Sequence, residues 1–245
     1  RLTMRAVLVL PTYQEGSNIE PLLRAVREAA DVDILVVDDD SPDGTGRIAE
    51  ALGAQLDGIR VVHRPGKAGL GSAYRDGFDR VLGEDYDVVL SMDADFSHDP
   101  AVLPDLLAAI ENGADAVIGS RYVPGGSVVN WPPHRRLLSR WGNTYTRAVL
   151  HISPRDCTSG YRAYRADTLK AIDPASTDAE GYAFLTELAR RMTRQGARID
   201  EVPITFRDRE QGKSKMSARI VFESMLLVTR WGIADGIAAM RRDAS

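Results

Sequence analysis

Val88-Val89-Leu90-Ser91-Met92-Asp93-Ala94-Asp95 is the stretch that decides the fold. An apolar run that stops on two acids reads as a buried strand delivering carboxylates at its end. Side chains on a strand repeat every second residue, so Asp93 and Asp95 leave near one face. Two close carboxylates repel unless a positive charge lies between them, and a hard divalent cation holding a diphosphate meets that need. Taken alone, Asp-x-Asp is equally a polar strand end that starts the next helix. The pattern around it separates the two readings.

Upstream, strand and helix patterns alternate. Ala6–Leu10 is an apolar run ending at Pro11, and Asn18 is placed to cap a helix with Ile19, Leu22, Leu23 and Val26 on one face. Asp33–Val37 is a second run, ending at Asp38-Asp39-Asp40. Turn residues 41–46 follow, then a helix carrying Ile48, Ala49 and Leu52. A short strand near Arg60–Val62 leads to the loop 64–69, a helix over Gly71–Leu82, the strand Asp87–Met92, a helix near Asp99–Asn112 and the strand Ala114–Ile118. Strands separated by helices imply a parallel sheet with right-handed crossovers, and such α/β sheets bind ligands beyond the carboxyl ends of their strands. Three of those ends are polar here: Pro11–Glu15, Asp38–Asp40 and Asp93–Asp95.

Past Gly119 the rhythm weakens. Residues 123–133 read as a loop, Leu137–Leu150 as a helix, Thr158–Tyr164 as strand or turn, Glu187–Gln195 as a helix and Ile199–Phe206 as a strand. Residues 207–217 form a charged loop, and its glycine and mixed charges suit a lid that orders on ligand binding. Ile220–Met240 reads as one or two amphipathic helices. It gathers Met225, Leu226, Val228, Trp231 and Ile233, with Arg219, Arg230, Arg241 and Arg242 in or beside it, which suits an interfacial helix on an anionic membrane or a docking face for a membrane partner. Trp131, close to Arg135 and Arg136, is a second candidate for the membrane interface.

The 245 residues suffice for one α/β domain, with residues 1–217 as its body and 218–245 as a helical appendage. A formal charge of −4 gives no basic footprint for nucleic acid. The single cysteine, Cys157, forms no internal disulfide and fits a reducing cytoplasm, with a small buried hydrophobe as its plain role. No apolar stretch of about 18 residues is present, so no classical membrane span is expected; the expected location is cytoplasmic, peripheral at the cytoplasmic face of a membrane. The first strand is not followed by Gly-x-Gly-x-x-Gly, and Gly-x-x-x-x-Gly-Lys-Ser/Thr does not occur, which argues against a dinucleotide oxidoreductase and a P-loop ATPase.

Five motifs occur in order: Pro11-Thr12-Tyr13-Gln14-Glu15, Val36-Val37-Asp38-Asp39-Asp40-Ser41-Pro42-Asp43, Asp93-Ala94-Asp95, Gly119-Ser120-Arg121-Tyr122 and Gly212-Lys213-Ser214-Lys215. Together they resemble family 2 glycosyltransferases of the GT-A fold. Asn130-Trp131-Pro132 followed by Arg135 brings the resemblance closer to the dolichol-phosphate and polyprenol-phosphate mannose synthases.

The resemblance implies GDP-mannose as donor, a polyprenyl phosphate as acceptor, Mg²⁺ or Mn²⁺ as cofactor, and inversion at the anomeric carbon. Pro11, Tyr13, Glu15, Val37 and Asp39 would surround base and ribose. Asp93 and Asp95, with the Ala94 backbone, would meet the metal and the diphosphate. Arg121, Arg135, Arg209 and Lys215 would contact donor or acceptor phosphates, with Arg121 counted beside the two acids as catalytic. Two positions depart from relatives: Ser97 stands where several carry a metal-assisting Gln, and Ala183 where some carry a donor-contacting Lys, for which Arg190 is a possible substitute.

A phosphate acceptor carries nearly two negative charges and needs positioning rather than a general base. A hydroxyl acceptor would need a carboxylate base, and Asp178, Glu180 and Glu187 are available for it. Two further readings remain open at this point. One is the same scaffold with another donor such as UDP-glucose. The other is a non-catalytic nucleotide-sugar-binding or docking module, which the intact acid pair argues against. His98 reads as structural, Asp40 and Asp43 as turn and cap, and Lys67 as a solvated charge.

Overall fold

The computed structural model describes residues 4–208 and 218–243. The first half follows the strand–helix alternation: β1 (Ala6–Thr12), α1 (Ile19–Ala29), β2 (Asp33–Asp38), α2 (Thr45–Gly53), β3 (Ile59–His63), α3 (Leu70–Leu82), β4 (Val88–Ser91), α4 (Leu103–Glu111) and β5 (Ala116–Ser120). The second half adds β6 (Ser127–Val129), α5 (Pro133–Leu150), β7 (Arg162–Arg165), α6 (Ala166–Ala171), α7 (Gly181–Arg194), β8 (Ile199–Pro203), β9 (Thr205–Arg207) and α8 (Ala218–Asp243).

Seven strands form one sheet in the order β3-β2-β1-β4-β7-β5-β8, and β6 and β9 pair separately. All neighbours in the large sheet are parallel except β7, which runs antiparallel between β4 and β5. Both faces are covered, which is why the strands read as continuous apolar runs rather than alternating ones. Leu8 and Leu10 of β1 face α1, α2 and α4, whereas Val7 and Val9 face α3 and α7. In α1 the four residues predicted to share a face, Ile19, Leu22, Leu23 and Val26, are all fully buried, each stabilising the fold by about 1.5–3 kcal/mol.

Several local expectations change. Asn18 occupies the cap position of α1 without a side-chain capping bond, and its amide donates instead to Glu15 Oε2 at 2.8 Å. Residues 123–133 contain the short strand β6, whose hydrogen bonds come from a partner some 75 residues away, and α6 is too short to show a helical period. Ile220–Met240 lies within one helix, α8, which crosses α5 closely: a Cβ on Gly232 would lie 2.5 Å from Val149 Cγ1. Tyr145 Oη and Thr229 Oγ1 hydrogen-bond across that crossing at 2.7 Å.

Candidate active site

The carboxyl ends of β1, β2 and β4 open on one edge of the sheet. On the β1–β2 side, Asp38 is a scaffold residue: buried, it accepts from Thr12 Oγ1, Ser41 N and Ser41 Oγ. Asp43 accepts from Gly16 N and from Thr45 N and Oγ1, tying the loop after β1 to the start of α2. Asp39 points elsewhere and pairs with Arg64, just past β3. Tyr13 lies beneath Lys67, whose Nζ is 3.9 Å from the ring centroid. Lys67 is therefore packed against an aromatic face rather than simply solvated. Pro11 and Glu15 line the same edge, half-buried. The Val37 side chain turns into the core against α3 and is fully buried, so it supports this wall from behind and leaves its backbone to face a ligand.

At the end of β4, Asp93 and Asp95 are half-buried, whereas Ala94 between them packs into the core. Phe96 takes a left-handed conformation at φ 58°. That reversal brings Ser97 N to Asp95 Oδ1 at 3.0 Å and fixes the second carboxylate. The Asp93 N–H donates to Nδ1 of His98 at 3.3 Å. His98 is buried, stacks on Tyr161 and meets Phe206 edge-on. Burial pushes its pKa down to about 4, so it is a neutral structural imidazole. A Cβ on Gly160 would lie 3.1 Å from Asp93 Oδ1, a tight contact that would press the carboxylate to shift by a few tenths of an ångström.

Arg162 builds the wall that carries Gly160. Fully buried, it donates to the carbonyls of Cys157, Ser159 and Leu185 at 2.7, 2.7 and 2.8 Å. Ser91 Oγ donates to Gly160 O at 2.8 Å. The turn 157–160 is thus locked to the end of β4. Cys157 is buried there, its thiol pushed up to about 12 by burial, which matches its reading as a small hydrophobe.

Arg121 follows β5 and is buried. Its Nε and Nη2 donate to both carboxylate oxygens of Asp156, and Nη2 also reaches Thr158 Oγ1. Burial works against the guanidinium charge, but Asp156 outweighs it and holds Arg121 above its ordinary value. Arg135 lies 4.1 Å over the Trp131 ring and donates to Asp208 Oδ2 at 2.7 Å. Trp131 is buried against Phe206, between two arginines. That corrects its expected place at a membrane interface, because the neighbouring guanidiniums and Phe206 cover its ring. Of the lid expected at 207–217, Arg207 ends β9 and Asp208 pairs with Arg135, whereas Arg209, Lys215 and the rest of 209–217 lie outside the described residues.

An open groove starts at Asp93, His98 and Arg121 and runs between α5, α7 and α8, past Leu138, Gly142, Met225 and Val228. Among the described residues lining it, Asp93 is the one carboxylate and Arg121 the one guanidinium. The three acids available as a base stand apart from it. Glu180 accepts from the N–H groups of Gly71 and Ser72 and pairs with Arg75, Glu187 pairs with Arg191, and Asp178 is exposed. Ala183 lines the groove, but Arg190 is bound to Asp235 of α8 and does not take the place of the missing Lys.

Two carboxylates on one loop suit a divalent cation that keeps its remaining positions for water and phosphate oxygens rather than an all-protein cage. No group of three or more acidic, His or Cys ligands forms among the described residues. The bare Gly160 cradle and the Ser97 contact that orients Asp95 fit that chemistry.

The sequence reading located the acid pair, Tyr13, Glu15 and Asp39 but missed Arg64, Asp156, Gly160 and Arg162. Arg64 ends β3 on the same sheet edge, so the strand-end rule applied to a fourth strand would have found it. The other three act through tertiary packing and leave no local signal.

The sequence pattern of "Glycosyl transferase family 2" matches residues 7–173. An undecaprenyl-phosphate mannosyltransferase from Micrococcus luteus is 50% identical over 94% of this chain and 95% of its own length. A polyprenol monophosphomannose synthase from Mycolicibacterium smegmatis is 49% identical over 95% of this chain and 89% of its own. Among solved structures, glucosyl-3-phosphoglycerate synthase from Mycobacterium tuberculosis with Mn²⁺, UDP-glucose and phosphoglyceric acid superposes with a TM-score of 0.67 over 92% of this chain and 80% of that one. At 21% identity it shares the fold, a GT-A fold as the sequence implied. A family pattern that runs from β1 past β7, taking in the acid pair and the wall behind it, shows that the chain belongs to glycosyl transferase family 2.

Proposed function

We propose that this enzyme transfers mannose from GDP-mannose to a polyprenyl phosphate with inversion, at the cytoplasmic face of a membrane. The groove carries the reading. It begins beside Asp93 and Arg121, continues between α5 and α8 with Leu138, Met225 and Val228 among the hydroxyls and amide of Ser139, Asn143 and Thr146, and contains no second carboxylate among its described lining residues. A lipid phosphate fits such a channel, with its chain along the apolar walls and its head toward the cations. A hydroxyl acceptor fits it poorly, because Glu180 and Glu187 are committed to other partners. The relatives' names support the same acceptor class.

In the proposed step an acceptor phosphate oxygen forms a bond to the anomeric carbon as the bond to the GDP β-phosphate oxygen breaks. The acceptor brings its own charge, so no proton need move. Asp93 and Asp95 would hold Mg²⁺ or Mn²⁺, which when bound screens the charge growing on the diphosphate. Tyr13, Glu15 and Asp39 would hold the nucleoside. Arg121 and Arg135 would screen the acceptor phosphate from the donor, joined by Arg209 and Lys215 of the 209–217 segment.

No described helix is long and apolar enough to cross a membrane. The exposed side of α5 carries Leu137, Leu138 and Trp141 beside Arg136 and Arg140, and the outer side of α8 carries Leu226, Ile233, Ile237 and Met240. Val228 and Trp231, grouped with the outer residues by sequence, pack inward instead. Apolar residues beside arginines suit an interfacial surface at the mouth of the groove.

Labelled GDP-mannose incubated with polyprenyl phosphate and Mg²⁺ or Mn²⁺ tests the reading. Labelled lipid is expected, and its absence under every metal condition would remove the proposal. Parallel incubations with UDP-glucose test the alternative donor.

A further inference from the structure

Arg64 holds together three elements at the nucleotide edge. One Nη donates to Asp39 Oδ1, the other donates to Ser72 Oγ at 2.5 Å, and Nε lies 3.3 Å from Asp76 Oδ2. Its own N–H donates to Asp38 O at 2.8 Å, fixing the base of the side chain. Arg64 and Asp39 are nearly buried, at 9% and 8% side-chain exposure. Arg64 is thus clamped from α3 by Ser72 and Asp76, and it in turn clamps Asp39. Its bond falls on Oδ1, leaving Oδ2 to accept from a ligand N–H or O–H. Three residues further on, Lys67 covers Tyr13, so the loop 64–69 touches two residues of the proposed nucleoside wall.

We propose that Arg64 is a positioning residue for the donor: it presents the Asp39 carboxylate to the nucleoside of the nucleotide sugar through a guanidinium held by Ser72 and Asp76. The inference rests on the reading of Asp39 as a nucleoside contact. A planar guanidinium reaches Asp39, Ser72 and Asp76 together, whereas a lysine ammonium at the end of a flexible stem is a point charge that cannot hold all three in one geometry. Removing Arg64 leaves Asp39 in place but free to turn, so the loss belongs to donor binding and not to the chemical step.

The full chain is assayed as Arg64→Gln, Arg64→Lys, Asp39→Asn and the Asp39→Asn/Arg64→Gln double variant, each first checked for a cooperative thermal transition. The readouts are KM for GDP-mannose, KM for polyprenyl phosphate, kcat, and inhibition by GDP. Arg64→Gln is expected to raise the donor KM and the GDP inhibition constant roughly tenfold, with kcat and the acceptor KM within about twofold of the parent. Arg64→Lys is expected to recover only part of that loss, and it serves as the test if Arg64→Gln does not fold. The double variant is expected to bind GDP no worse than Asp39→Asn alone, whereas a purely structural role would make the two losses add. If Asp39→Asn weakens GDP binding and both Arg64 variants leave it unchanged, the positioning role is overturned. If Asp39→Asn itself leaves GDP binding unchanged, the nucleoside reading of Asp39 fails, and the inference fails with it.

Discussion

Arg121 and Asp156 meet as a two-point ion pair, Nε to Oδ2 and Nη2 to Oδ1, each at 2.6 Å. Their side chains are 5% and 0% exposed. Such a pair gains little over a well-packed apolar replacement, but removing one partner strands the other charge in a poor solvent, which costs about 3–5 kcal/mol. Asp156→Ala is therefore expected to lower the unfolding free energy by about that amount in urea melts. It should also lower transfer beyond the loss of folded protein, because Arg121 lines the groove. A loss below about 1 kcal/mol would place the pair with solvent-exposed ion pairs and contradict the burial argument.

The same pair predicts a pH response. Burial alone would raise the Asp156 pKa, but the charge and hydrogen bonds of Arg121 win and hold it below its ordinary value of 3.8. As pH falls past 3.8, the unfolded chain takes up this proton while the folded protein does not. The unfolded state then binds more protons, so stability falls with pH across that interval and is fully present above it. Acid unfolding of the parent should steepen below pH 3.8, and Asp156→Asn, less stable throughout, should lack that component. Parallel curves for the two proteins would refute the assignment.

At the end of β4 the prediction separates binding from folding. Asp95→Ala removes a half-buried carboxylate that accepts from the Ser97 N–H. Transfer should fall by more than about a hundredfold, with little change in the thermal midpoint. Gly160→Ala is the more specific test, because the new methyl would lie 3.1 Å from Asp93 Oδ1 and press on that carboxylate. It should raise the Mn²⁺ concentration needed for half-maximal rate by roughly tenfold. An unchanged metal requirement would mean that the contact with Gly160 does not set the position from which Asp93 acts.

For the membrane surface, Trp141→Asp places a charge on an exposed residue of α5, 53% accessible. Sedimentation with anionic vesicles should drop severalfold, while transfer to a short, water-soluble prenyl phosphate stays near the parent value. Loss of both activities together would point to damage inside the groove, and loss of neither would dismiss α5 as the contact surface.

The first half of the fold was legible because local and global signals agree there. Ile19, Leu22, Leu23 and Val26 repeat at helical spacing and are buried together, and Val88–Leu90 is apolar because the sheet is covered on both faces. The second half hid its structure for physical reasons. The three residues of β6 owe their pairing to β9, and the antiparallel run of β7 depends on partners already in the sheet. At the site, Asp93, Asp95 and Asp39 announce themselves by position at strand ends. Gly160 acts by lacking a side chain and Arg162 by bonding carbonyls inside the core, neither of which a motif records. Trp131, offered as an interface residue because Arg135 and Arg136 follow it, takes a tryptophan's usual place in the core, where Arg135 and the distant Arg121 lie over its ring.

The antiparallel β7 has a consequence for how the chain is made. It fills the gap between β4 and β5, and no residue before 162 supplies a strand there. Until β7 is made, β4 keeps one unpaired edge, and β5, whose other partner β8 comes later still, has no neighbour in the sheet. β7 closes that gap and carries Arg162 at its start, so the strand that joins the two parts of the sheet also brings the side chain that braces the turn 157–160. Cutting the gene in the loop between β5 and α5 should therefore yield two fragments that are each insoluble alone and regain structure when co-expressed.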